Sequence, residues 1–119
     1  GVVVTVITDM GNSVFFGADA GSKAMKGMLC FGPLLESELL KVPHHGGQLG
    51  DMRVVREFIE EVGCKHAVVS TSAGYAKNRE LFEKLKEQDT NIYMTSDHGA
   101  VIAEETEDGF FIRPFCRRP

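Results

Sequence analysis

Between Asp51 and Thr95 the chain twice sets a helical apolar period before a short strand-type run, and this alternation restricts the fold more than any other feature. Val55, Phe58, Ile59 and Val62 recur at i, i+3, i+4 and i+7, one apolar stripe of a 3.6-residue helix. Asp51 before them is a natural N-cap, and Gly63 after them is a natural stop. Ala67-Val68-Val69 then reads as the centre of a strand over 66–71. Asn78 can cap a second helix whose apolar face is Leu81, Phe82 and Leu85, and a strand over 92–95 follows.

The flanks add strands. Residues 2–7 are a β-branched run, Asp9-Met10-Gly11-Asn12 is turn chemistry, and 13–17 is a second strand, so the chain opens with a hairpin. Residues 22–29 suggest a short helix between Gly21 and the Gly32-Pro33 break, and 39–42 a buried strand. Asp97-His98-Gly99 and Glu107-Asp108-Gly109 read as tight turns around strands over 100–103 and 110–112. The order is ββ(α)β, αβαβ, ββ. It predicts an α/β fold with a mixed sheet and flanking helices, with antiparallel strands supplied by the hairpins at the two ends. No repeat or linker interrupts it, so residues 1–119 form a single domain or half-domain.

Composition excludes several functions. A formal net charge of −4 argues against a generic basic nucleic-acid surface. The small cluster Arg113, Arg117 and Arg118 reads as a solvated end. Cys30, Cys64 and Cys116 are isolated and odd in number, so buried free thiols are expected rather than a cysteine zinc site or a disulfide framework. No apolar run reaches the roughly 18 residues that span a bilayer, and no signal peptide is expected from these residues. The opening Gly1 leads directly into a strand, which suggests a piece of a longer protein. There is no G-x-S-x-G elbow, P-loop or dinucleotide fingerprint, so serine-nucleophile and nucleotide-cofactor chemistry lack support.

Two segments carry potential ligands. Leu39-Leu40-Lys41-Val42-Pro43-His44-His45-Gly46-Gly47 runs from an apolar strand into two histidines and two glycines. Imidazole is the commonest protein metal ligand, and a strand end holds it rigidly. Alternation along a strand would point His44 and His45 to opposite faces, leaving one as ligand and the other as a supporting or substrate contact. Upstream, Val14-Phe15-Phe16-Gly17-Ala18-Asp19 ends a second apolar run in a carboxylate. From position alone Asp19 serves equally as the N-cap of the helix after Gly21, and the histidines as an ordinary polar strand end. Lys41 reads as a snorkelling lysine, His66 as a surface or core histidine, and His98 as part of a turn. The hydroxyl-rich stretch 70–75 follows a strand, where α/β proteins place ligand contacts; it suits phosphate binding and turn formation alike.

In this order the segments resemble the C-terminal half of a metallo-β-lactamase-fold domain. The likeness is greatest to the subgroup attached to ComEC-type DNA-internalisation competence proteins. Gly17-Ala18-Asp19-Ala20 stands where that group has T-G-D-A. Lys41 to Gly47 stands where it has K-V-P-H-H-G-S, with Gly47 replacing the serine. A helix, a strand ending in Ser70, a second helix and strand, and Asp97-His98-Gly99-Ala100 complete the pattern across most of the chain.

The resemblance implies half of a four-layer αββα sandwich with a metal site, usually two zinc ions, at one sheet edge. It implies that Asp19 bridges the metals, that His44 or His45 binds one of them, and that a metal-held hydroxide attacks a phosphodiester, DNA included, or another ester. The family's main ligand motif, H-x-H-x-D-H, is absent; the histidines are His44, His45, His66 and His98. Nor does Gly74-Tyr75-Ala76-Lys77-Asn78 contain the histidine of the family's G-H-P-like element. The chain is therefore expected to be inactive alone, with the missing N-terminal half or a homodimer partner covering an apolar sheet face. A competence-type parent would place it outside the cytoplasmic membrane; otherwise a cytoplasmic location is compatible. Two alternatives stand beside this reading: a degenerate, non-catalytic interaction or regulatory module of the same fold, and an unrelated α/β binding module.

Overall fold

A computed structural model describes residues 3–71 and 78–115 of the chain. Strands β1 (Val4–Ile7) and β2 (Ser13–Phe16) form the opening hairpin. Helix α1 (Ser22–Met28) runs into a tighter 3-10 segment, Leu29–Leu35, and β3 (Leu39–Lys41) follows. Then come α2 (Met52–Val62), β4 (His66–Val69), α3 (Arg79–Glu87) and β5 (Asn91–Met94). A single helical turn, α4 (Thr95–His98), leads to a second hairpin, β6 (Val101–Thr106) and β7 (Gly109–Pro114).

Strands β1 to β5 lie side by side in sequence order. The pairs β2–β3, β3–β4 and β4–β5 are parallel, and β1 joins the edge antiparallel to β2. The α/β class with a mixed sheet and flanking helices is as the sequence indicates. The second hairpin departs from expectation. It forms a separate two-stranded sheet instead of extending the first. The cause lies at Asp97-His98-Gly99, which is the end of α4 rather than a hairpin turn; Gly99 then reverses the backbone with φ 66°. The Glu105 carboxylate fastens this hairpin to the β1–β2 turn, accepting from the Thr8 hydroxyl and, at 2.7 Å, from the Asn12 amide.

The helices form for the reasons visible in the sequence. Asp51 caps α2 by accepting from the Arg53 amide at 3.0 Å, and Gly63 closes it in the left-handed region at φ 54°. Asn78 caps α3 by accepting from the Leu81 amide at 3.2 Å. By contrast α1 starts at Gly21 with no side-chain cap, so Asp19 is not its N-cap. Gly32 breaks the segment after α1, with φ 50° and ψ −124° just before Pro33.

Strand register sorts the side chains into two faces. Thr5, Phe15, Leu40, Ala67 and Ile92 share one row across the sheet. Phe15, Leu40 and Ala67 of that row are buried in one cluster with Val55, Phe58 and Ile59 of α2 and Leu81 and Leu85 of α3. Phe15 and Phe58 meet edge to face with centroids 5.6 Å apart. The three helices pack in series, α1 on α2 and α2 on α3. On the opposite face a row of Val4, Phe16, Lys41, Val68 and Tyr93 is only partly covered. Val4 and Phe16 there retain 45% and 43% of their accessible surface, enough to leave an apolar strip open at the β1 edge.

The cysteines divide. Cys64 is a buried thiol whose pKa burial pushes up to about 11, whereas Cys30 is exposed, against the expectation of uniform burial. Cys116 lies outside the described residues, as do Arg117 and Arg118 of the arginine cluster; Arg113 pairs loosely with Glu104 at 3.9 Å. Among the described residues no helix is long and apolar enough to cross a membrane.

His66 opens β4 on the less covered face. Its Nδ1 is buried without a hydrogen-bond partner among the described residues, and burial holds its pKa below the ordinary 6.5. The unfolded chain therefore takes up this proton first. The stability associated with neutral His66 is complete above pH 6.5 and is lost as pH falls through the lower folded-state value. Urea midpoints measured from pH 8 down to pH 5 should fall in the wild type and fall less in His66→Gln. Equal slopes for the two proteins would exclude His66 as the source.

Candidate functional site

The parallel register brings the C-terminal ends of β2 to β5 to one edge of the sheet, the edge at which open α/β sheets bind ligands. Gly17-Ala18-Asp19 leaves β2 there, and Val42 to Gly47 leaves β3 beside it. Ser70 and Thr71 leave β4, and Thr95 leaves β5. Both ligand-bearing segments singled out in the sequence thus reach the same edge, on adjacent strands.

The first two loops are pressed together. The His44 amide donates to the Ala18 carbonyl at 2.9 Å. A Cβ on Gly17 would stand 2.6 Å from Pro43 Cγ, so glycine is required for this approach. Ala18, His44 and His45 all have positive φ, at 50°, 52° and 55°. A left-handed conformation costs a non-glycine residue about 1 kcal/mol or more, so three in one contact mark stored strain that the surrounding bonds must hold.

The histidines therefore do not sit as expected. They occupy a tight turn, Pro43–Gly46, beyond the end of β3, and successive left-handed residues do not alternate as strand residues do. Both are exposed, as is Asp19. The turn is held from two sides. His45 Nδ1 lies 2.7 Å from the Ser70 carbonyl, which only accepts, so Nδ1 is the donor of this bond. On the other side Asn78 donates its backbone amide to Gly46 O at 2.8 Å and its Nδ2 to Gly47 O at 3.1 Å. Asn78 is buried and uses its remaining side-chain oxygen to cap α3. One residue thus ties the histidine turn to a helix start.

Thr71 and Thr95 complete the edge. The Thr71 amide donates to Thr95 Oγ1 at 2.9 Å, and that hydroxyl donates to the Thr71 carbonyl at 3.0 Å. These bonds join the loop after β4 to the end of β5 through the Thr71 backbone; residues 72–75 of the hydroxyl-rich stretch lie outside the described residues. Lys41 stands within β3, half-buried, and burial lowers its pKa, as fits a snorkelling side chain. His66 begins its strand at the opposite end of the sheet and takes no part in this edge.

A catalytic zinc commonly takes about three protein ligands and keeps one position open for water. Among the described residues no three His, Cys, Asp or Glu side chains are grouped to hold an ion. Asp19, His44 and His45 reach one edge on joined loops, but they do not make a self-sufficient metal centre. The sequence identified Asn78 as a cap and missed it as a clamp, because its second role depends on the Gly46 and Gly47 carbonyls, which are 31 and more residues away.

Gly17→Ala should destabilise the protein by about 1–3 kcal/mol, because the rigid Pro43 ring cannot give way. Asn78→Ala should cost about 2 kcal/mol, losing a cap and stranding the Gly47 carbonyl. Asp51→Ala, which removes an exposed cap and the exposed Arg53 pair beside it, should cost less than Asn78→Ala. Denaturant melts rank the three; an Asn78 variant no worse than the Asp51 variant would remove the clamp from the account.

No family model, no curated protein and no solved structure matches this chain.

Proposed function

We propose that the chain is the C-terminal portion of a metallo-β-lactamase-like, metal-dependent hydrolase that acts on phosphodiesters and resembles the ComEC-type competence subgroup. One observation carries the reading: the hydrogen bond from the His44 amide to the Ala18 carbonyl, which joins the Asp19 loop to the histidine turn at the C-terminal ends of adjacent parallel strands. The bond from His45 Nδ1 to the Ser70 carbonyl supports it further. Metal-binding histidines almost always donate their second ring nitrogen in this way. On this reading Asp19 and one of His44 and His45 are ligands, and the other ligands come from outside the chain, as the missing H-x-H-x-D-H motif requires. Two zinc ions are the expected complement of the finished site. Bound metal would supply a water of pKa near ~7 and charge to stabilise attacking and leaving oxygens.

The absence of a three-ligand group among the described residues favours a second reading, a non-catalytic interaction or regulatory module of the same fold. The partly open face with Val4 and Phe16 suits either case, covered by an N-terminal half-domain or by a second copy.

Zinc titration and phosphodiester hydrolysis separate the readings. The 119-residue chain alone should bind zinc weakly and hydrolyse bis-p-nitrophenyl phosphate no faster than buffer. Joined to the region encoded upstream, it should gain bound zinc and activity. Asp19→Asn in that longer protein should lower activity by at least about a hundredfold, the upper end of what even supporting residues contribute. A longer protein that takes up no metal would leave the module reading. Stoichiometric zinc and full activity in the short chain would refute the half-site.

A further inference from the structure

Asp19 does not face bare surface. A cleft of about 520 Å3 opens beside it, between the start of β1 and the first turn of α1. That volume lies within the range of small-molecule pockets, roughly 300–1,000 Å3. Its walls are the apolar or side-chain-free residues Val3, Gly17, Ala20, Gly21 and Ala24, and its charged residues are Asp19 and Lys23. The smallness of the walls is built in rather than incidental. Gly17 has no room for a side chain because Pro43 fills the space behind it, and at Gly21 a Cβ would come within 3.2 Å of the Leu49 carbonyl. Walls of glycine and alanine expose flat peptide surface, which suits a flat apolar group better than a branched one.

We propose that this cleft receives the apolar arm of a phosphate ester, a flat group the size of an aryl ring or nucleobase, with Lys23 neutralising the phosphate presented toward Asp19. The inference rests on the hydrolase reading for the direction in which the ester is presented; the cleft itself needs no metal to be tested. Its chemistry is that of an amphiphile. The apolar walls reward a ring but give an inorganic anion nothing, and Lys23 rewards the anion but gives a neutral ring nothing. Without metal the Asp19 carboxylate opposes the phosphate, so the metal-free chain should bind weakly, and removing that charge should help.

Nitrogen-15 chemical-shift titration of the metal-free chain tests this with three probes: phenyl phosphate, inorganic phosphate and benzyl alcohol. Phenyl phosphate should shift the amides of Gly17, Ala20, Lys23 and Ala24 and bind about tenfold more tightly than either fragment, the gain expected from adding a buried ring or an ion pair. Ala24→Phe, which fills the cleft from an exposed helix position, should weaken phenyl phosphate by at least about tenfold with an unchanged melting temperature. Lys23→Gln should weaken phenyl phosphate and leave benzyl alcohol unaffected, whereas Asp19→Asn should tighten phenyl phosphate. Unaltered binding in Ala24→Phe, or shifts confined to other parts of the chain, would overturn the cleft. If Ala24→Phe melts early, the opposite effects of Lys23→Gln and Asp19→Asn decide instead, and equal effects would refute the proposal. Failure of the hydrolase reading shows separately, as a longer protein without zinc whose cleft still binds phenyl phosphate.

Discussion

The structure depends on the registry of four parallel strands. Side chains alternate with a period of two, so a slip of one residue in β2 or β3 would turn Phe15 or Leu40 away from the helices and bring Phe16 or Lys41 inward. Burial of Phe15 and Leu40 against Phe58, Ile59 and Leu81 fixes the register. The same register sets where the strands end. With Phe16, Lys41, Val68 and Tyr93 in one row, the loops after β2, β3, β4 and β5 begin within one residue of the same height. The site at that edge is thus a consequence of how the core packs, and core and site are difficult to alter independently.

Above that platform the backbone is strained and braced. Three non-glycine residues hold left-handed conformations within two loops that touch through one hydrogen bond. Such conformations persist where neighbours over-determine them. Ser70 braces the histidine turn through His45, and Asn78 braces it through Gly46 and Gly47. The braces come from β4 and from the start of α3, elements that are themselves part of the core packing. The position of the histidine turn is thus set by helices and strands rather than by its own exposed residues.

The elements with strong periodicity were legible in the sequence. The stripes of α2 and α3, their Asp51 and Asn78 caps and the Gly63 stop all carry local chemical signals, and the structure has each. What escaped was non-local or conformational. Nothing in Pro43-His44-His45 announces left-handed backbone, and strand alternation does not govern the histidines because they lie beyond the strand. The turn at Asp97-His98-Gly99 has hairpin composition, yet hydrogen bonding from Gly99 to Thr95 makes it a helix end and releases β6 from the main sheet. Cys30 escaped because its burial depends on the path of the segment after α1, which Gly32 redirects. For the site, the two ligand-bearing segments were visible as segments; their junction through Ala18 was not, because it depends on β2 and β3 being neighbours.

The two incomplete features of the molecule lie on the same side of its logic. At the edge Asp19, His44 and His45 are not grouped to hold an ion, and the sheet leaves Val4 and Phe16 half-open on the face away from the helices. An element packed over that face from the β1 side would cover apolar surface and end close to Gly17 and Asp19, because β1 begins where β2 ends. A single addition could therefore supply both burial and ligands. This coupling is physically economical: the hydrophobic gain from covering the strip would offset the cost of fixing ligand side chains, which an isolated metal would otherwise have to meet through its own binding. On the proposed reading, the braces from Ser70 and Asn78 hold the turn by themselves, so an added segment would meet a formed edge rather than having to organise one.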